Sequence, residues 1–268
     1  MTEQGPAQPL RLGGMALRNG LLVHGPTQWA AAVRCDDGTI KAASGRKPHV
    51  GGPVQRVPGA RGVIRLAEAM VVIPLVKLGL PEVRLPWQDR RLFGFAAATM
   101  VGTSLLRRRV RGTGGEVALA ALSLAPSFMA LRSGDLAAYH GVEHKAIAAY
   151  EQGGADAREA AKEHDRCGSH LMAPMLASSF AGTALLQRVL DTPGPLAGAM
   201  VSLASVGLAV EVFAWSERHE RSLGARVLRR PGYELQRVIG TREPTETQLD
   251  VGRAALAEIL RAEGVAAA

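Results

Sequence analysis

The chain has 268 residues, 32 Lys and Arg against 24 Asp and Glu, a formal net charge of +8 and only 4% aromatic residues. Two cysteines exclude a disulfide framework and fit a reducing compartment. The basic balance admits nucleic acid or anionic lipid as a partner, and two features favour lipid headgroups. The arginines flank apolar runs, and no nucleic-acid-binding motif, phosphate-binding glycine loop, dinucleotide fingerprint or internal repeat is present.

In chain order, residues 1–12 read as a mobile tail without the basic and apolar layout of a signal peptide. Residues 13–60 read as a small β module. GGMALRNGLLVHGP places glycines where the chain must turn or approach another backbone closely. WAAAVRC and TIKAAS flank Asp36-Asp37-Gly38, a hairpin signal, with Trp29 and Val33 on one face of the first strand.

Residues 61–230 are expected to form a helical membrane domain. Arg61 to Leu80 is apolar but carries Arg65, Glu68 and Lys77, which suits an interfacial or partly buried amphipathic helix better than a clean span. Leu92–Leu106 and Val117–Leu131 are short for a bilayer, and Pro126 is expected to kink the second. Leu171–Leu186 and Pro195–Trp215 are stronger spans, with Gly198, Ser202, Ser205 and Gly207 allowing close helix contact. The positions of Arg166, Arg188, Arg218, Arg221, Arg226, Arg229 and Arg230 predict that the His/Glu/Cys cluster and the C-terminus share the cytoplasmic side, whereas Arg107, Arg108, Arg109 and Arg111 at the tip of a 92–131 hairpin point the other way. Residues 231–268 read as a soluble segment. Thr245 caps a helix striped by Leu249, Ala254, Leu256 and Leu260, expected to dock on the β module or beside the membrane.

The chemistry is concentrated between Tyr139 and His170, where four of the seven histidines and one of the two cysteines fall. On a helix, His140, His144 and Glu151 lie within roughly 40° of one another. His140-x-x-Glu143-His144 has the inverted zincin form, in which two histidines hold zinc and the glutamate activates water. His164-x-x-Cys167 offers two more ligands from one turn. Arg166 can lower the thiol pKa or bind a phosphate or carboxylate group of a substrate. Glu211, well downstream in the last apolar run, is either a further ligand or an interfacial carboxylate reaching water. The plain alternative for the whole cluster is a buried polar network. Tyr139, Lys145 and Tyr150 show no clear role, and His170 looks peripheral.

YHGVEHKAIAAYE, HDRCGS and PGYELQRVIGTREPTETQLDVGRAAL together resemble the YqhQ-like family of bacterial membrane proteins, a domain of unknown function described as metal-dependent enzymes. The similarity runs from about Gly13 to Leu260. It implies functional positions at His140, Glu143, His144, Glu151, His164, Arg166 and Cys167. The N-terminal motif departs from the family pattern GGQAVMEGVMMRGP, with Met15 for Gln, Asn19 for Glu and His24 for Arg. If those polar residues belong to the family's active site, this protein is altered there.

The sequence therefore predicts an α+β protein with a small N-terminal β module and a multi-pass helical membrane domain, located in the cell membrane. A divalent metal, most simply zinc, is expected to be held by residues drawn from His140, His144, Glu151, His164, Cys167 and Glu211, with Glu143 and Arg166 as catalytic groups. The expected activity is hydrolysis of a membrane-associated substrate. The alternative is a non-catalytic assembly factor or transporter with a structural metal or polar network. Anionic lipid headgroups are the expected partners, nucleic acid is not, and a homo-oligomer is compatible with the chain.

Overall fold

The computed structural model describes residues 9–52, 57, 60–107, 109–110, 113–132, 135–190 and 194–265. Most of the expected tail lies outside the described residues, as do Arg108 and Arg111. Leu10 and Leu12 are ordered against the body: the Leu10 N–H donates to the Tyr150 hydroxyl at 3.1 Å, and Leu12 is buried.

The β module is a four-stranded antiparallel meander in the order β1 (Gly13–Leu17), β2 (Gly20–His24), β3 (Gln28–Arg34) and β4 (Ile40–Arg46). The hairpin at Asp36–Gly38 forms, with Arg34 opposite Ile40. Helices cover both faces of the sheet, which explains why Trp29–Val33 is a continuous apolar run rather than an alternating one. Leu17, Leu22, Trp29, Ala31 and Val33 pack on Val72, Ile73 and Val76 of α1 (Ala60–Gly79). Leu21, Val23, Ala30 and Ala32 pack on α5 (Asp135–Glu151) and α9 (Glu246–Glu263). Thr245 caps α9, its backbone N–H bonded to Gln248 Oε1 at 3.0 Å, and Leu249, Ile259 and Leu260 are buried against the sheet. The C-terminal helix therefore docks on the β module.

The other helices are α2 (Arg90–Arg107), α3 (Thr113–Ser123), α4 (Ala125–Arg132), α6 (Met172–Val189), α7 (Pro195–Arg218) and α8 (Leu223–Leu235). They overturn the multi-pass expectation. Among the described residues one helix, over Leu196–Arg218, is long and apolar enough to cross a membrane. The reason lies in length and charge. Crossing takes about 20 apolar residues, but α3 and α4 have 11 and 8 residues, separated where Pro126 enters the first turn of α4. Helix α2 starts on Arg90-Arg91 and ends on Arg107, and α1 carries Arg65, buried Glu68 and Lys77. The arginine-based choice of side needed several crossings and loses its basis with them. Apolar side chains are nevertheless displayed on α2, α6 and α7, among them Phe93, Met100, Leu185, Leu196 and Met200. Helices α6 and α7 approach closely, but through Gly182 against Val201 and through buried Ser205, whereas Gly198 faces open space.

Candidate metal centre

Helix α5 lies between the sheet and the loop that leads to Cys167, so its two histidines enter the interior one turn apart. The ring centroids of His140 and His144 are 4.3 Å apart. His140 Nδ1 lies 2.8 Å from the Gly240 carbonyl oxygen, and His144 Nδ1 lies 2.6 Å from that of Lys162. A carbonyl only accepts, so each Nδ1 carries the proton and each Nε2 keeps a free lone pair. Cys167 forms the N-cap of a 3-10 turn over Gly168–Leu171, and its Sγ is 3.4 Å from His140 Nε2. The three ligand atoms lie within 4.8 Å of one another.

This donor set fits a divalent metal. Tetrahedral zinc with nitrogen and sulfur ligands places neighbouring ligand atoms about 3.3–3.6 Å apart, a spacing the Cys167–His140 pair already has. His144 Nε2 is buried without a hydrogen-bond partner, which is costly for a polar atom unless something else uses its lone pair. Burial holds the His144 imidazole neutral, with a pKa lowered to about 2, and His140 beside it adds to that effect. A neutral imidazole is the ligating form. Burial also raises the Cys167 thiol, opposed by hydrogen bonding from Ser169.

Glu143 reaches the same region from the sheet side of α5. It is buried, and desolvation raises its carboxyl to about 7, opposed by nearby His140. Its space comes from Gly14 of β1, where an added Cβ would lie 2.7 Å from Glu143 Cγ. Gly14, the second glycine of the β module, therefore serves the site, whereas Gly13 faces the His24 ring.

His164 is held the other way round. The Arg166 N–H donates to its Nδ1 at 3.2 Å, so its proton sits on Nε2, 3.4 Å from Glu151 Oε2. Its ring is 5.7 Å from that of His144. Glu151 also pairs with the Arg166 guanidinium. His164, Glu151 and Arg166 thus form a charged rim beside the three-ligand group and line a polar cleft of about 530 Å³, together with Arg11, Glu217 and Arg229. On the other flank of Glu151, an apolar cavity of about 570 Å³ runs between α5 and α9, past Val142, Tyr150 and Leu256. Glu211 is half-buried on α7, the helix whose Phe213 stacks on His170, and is not part of the three-ligand group.

Several supporting groups were not visible as such in the sequence. Gln236 is fully buried at the start of a π-helical turn, Gln236–Gly240. Its amide accepts from the His164 N–H at 2.8 Å and donates to the His164 carbonyl and to Ser169 Oγ. The same turn ends at Gly240, whose carbonyl orients His140. His170 is buried, bonded to the Arg229 carbonyl at 2.9 Å, and belongs to this framework. Gln236 lies within the quoted C-terminal motif, but an uncharged amide carries no metal signal.

The three departures from the family pattern stand away from the ligand group. Met15 packs with the cluster on the α1 face of the sheet. His24 pairs with Gly13 across β1 and β2 and contacts Lys47 at 3.5 Å. Asn19 bonds to the carbonyls of Arg34 and Glu82 and to the Arg84 N–H.

The resemblance to the YqhQ-like family is supported by comparison with known families: residues 134–262 match the model of a family described as Protein of unknown function (DUF1385). That span covers all of the ligand group and excludes the sheet. No curated protein and no solved structure matches the chain.

Proposed function

We propose that this DUF1385-like chain is a metal-dependent hydrolase whose divalent ion, zinc or a similar metal, is held by His140, His144 and Cys167. The observation that carries the reading is the shared orientation of the two histidines. Backbone carbonyls take both Nδ1 protons, His140 Nε2 lies 3.4 Å from the Cys167 thiol, and His144 Nε2 is buried without a partner in the same three-residue group. Three protein ligands leave a coordination position for substrate, the mark of catalytic rather than structural sites. A divalent ion supplies Lewis acidity and activates water near neutral pH. Glu143, with its carboxyl raised to about 7, is suited to take up and return a proton at that pH. Arg166, at the edge of the polar cleft, is suited to bind an anionic part of the substrate. Glu151 and His164, engaged with Arg166 and with each other, and Glu211 on α7 lie outside this three-ligand group.

A polar cleft and an apolar cavity meeting at Glu151 favour an amphiphilic substrate, such as a lipid-linked ester or an apolar peptide. The apolar side chains displayed on α2, α6 and α7, with arginines at the helix ends, support work at an anionic bilayer surface. The rival reading, a structural metal in an assembly factor or transporter, requires a closed four-ligand sphere.

The test is metal content. After gentle chelation and dialysis, elemental mass spectrometry should find about one metal per wild-type chain, and none in His140→Ala/His144→Ala. A folded wild type that holds no metal and takes none up would sink the proposal.

A further inference from the structure

Lys145 immediately follows the ligand His144, and it has no part in the chemistry described so far. Its side chain is only 4% exposed. An ammonium group has three protons to place, and each has an acceptor. Nζ lies 3.0 Å from the Arg158 carbonyl, 2.7 Å from the Ala160 carbonyl and 2.6 Å from Glu243 Oε1. Two residues further along the same loop, the Lys162 carbonyl accepts from His144 Nδ1. Alternate carbonyls at 158, 160 and 162 are therefore gathered onto consecutive residues of α5, and the loop then continues to His164 and Cys167. Glu243 is brought within reach because the Arg242 backbone lies on α5. The Arg242 N–H bonds to the Ala137 carbonyl at 2.9 Å, and its carbonyl sits where a Cβ on Gly141 would lie 2.4 Å away.

We propose that Lys145 is a positioning residue for the metal centre. By clasping the Arg158 and Ala160 carbonyls, it sets the height of the loop on α5. It thereby places both the Lys162 carbonyl that orients His144 and the Cys167 thiol that completes the ligand group. The inference rests on the metal reading above. It adds that the site is assembled by a buried cation one residue from a ligand, with Glu243 neutralising that cation from the C-terminal segment. Lysine suits the role because one long stem delivers three protons, and no neutral side chain matches that number.

The experiment uses the full chain loaded with cobalt(II), whose thiolate charge-transfer band reports Cys167 ligation separately from histidine ligation. Affinity is read in the same samples by chelator competition. Lys145→Met is expected to weaken cobalt binding by about 10–100-fold, the usual effect of losing a group that orients a ligand, and to reduce the charge-transfer band. A Lys145→Met protein with the wild-type band and an affinity within about twofold of wild type would overturn the inference. If Lys145→Met does not fold, Lys145→Gln, which keeps one donor group, is read by the same two criteria. A wild type that binds no cobalt would instead defeat the metal reading itself, whereas a normal wild type beside an unaffected Lys145 variant defeats only the role of Lys145.

Discussion

Gly14 of β1 lies directly against Glu143 of α5, so close that a single added carbon would stand 2.7 Å from the glutamate Cγ and 2.8 Å from its Oε1. The sheet thus forms the wall that keeps this carboxyl dry. Gly14→Ala is expected to displace Glu143 and to destabilise the fold by about 1–3 kcal/mol, the usual cost of overpacking. Chemical denaturation measures the second effect. An alanine variant as stable as wild type would show that the contact relaxes freely.

Removal of single ligands should be graded. Cys167→Ser replaces a soft thiolate with a weaker ligand, and should lower zinc affinity while leaving the fold intact. His144→Ala removes the most deeply buried of the three proposed ligands and should abolish stoichiometric zinc binding. Competition with a chromophoric chelator distinguishes the two, and equal affinities for wild type and His144→Ala would exclude His144 as a ligand.

Gln236 holds the His164–Ser169 segment through three hydrogen bonds at 0% exposure. Gln236→Leu has nearly the same volume but leaves the His164 N–H without its acceptor. A loss of about 1–3 kcal/mol per buried group left unsatisfied is expected, together with weaker zinc binding, because Cys167 lies within that segment. Thermal unfolding with and without zinc would check both effects.

His24 gives a pH signature unconnected with the metal centre. Burial, reinforced by Lys47, lowers its pKa from 6.5 to about 4 in the folded chain. The unfolded state therefore takes up a proton near pH 6.5 that the folded state refuses until about pH 4. Stability from this group is complete above pH 6.5 and is lost as pH falls through that window, by at most about 3 kcal/mol. Urea denaturation at pH 7 and pH 4.5 should show a loss in wild type that is smaller by about 2 kcal/mol in His24→Gln, the remainder in the variant belonging to the other buried histidines, His144, His164 and His170. Parallel losses in the two proteins would assign the effect elsewhere.

Sequence reasoning misjudged the middle of the chain for an identifiable reason. Hydropathy marks apolar runs, but whether a run becomes a span depends on unbroken helix length and on charge within it. Pro126 divides one run, Arg90, Arg91 and Arg107 bound another, and Glu68 in α1 is turned inward. The same reasoning treated Met15, Asn19 and His24 as a possible change to the active site. The pleat of β1 and β2 settles where two of them go, since Met15 and His24 share the α1 face while Gly14 turns to Glu143.

What the sequence determined by itself was the local geometry. The helical period puts His140 and His144 on one face, Asp36–Gly38 turns a hairpin, and Thr245 starts the helix that closes the sheet. What only the tertiary structure decided was the chemical state of each side chain. The carbonyls of Gly240 and Lys162 fix the protons of His140 and His144 on Nδ1, while the Arg166 N–H fixes that of His164 on Nε2. Burial against Gly14 raises the Glu143 carboxyl. Backbone carbonyls and N–H groups occur at nearly every residue and leave no mark in a sequence, so which one meets a given imidazole is decided when distant segments pack together.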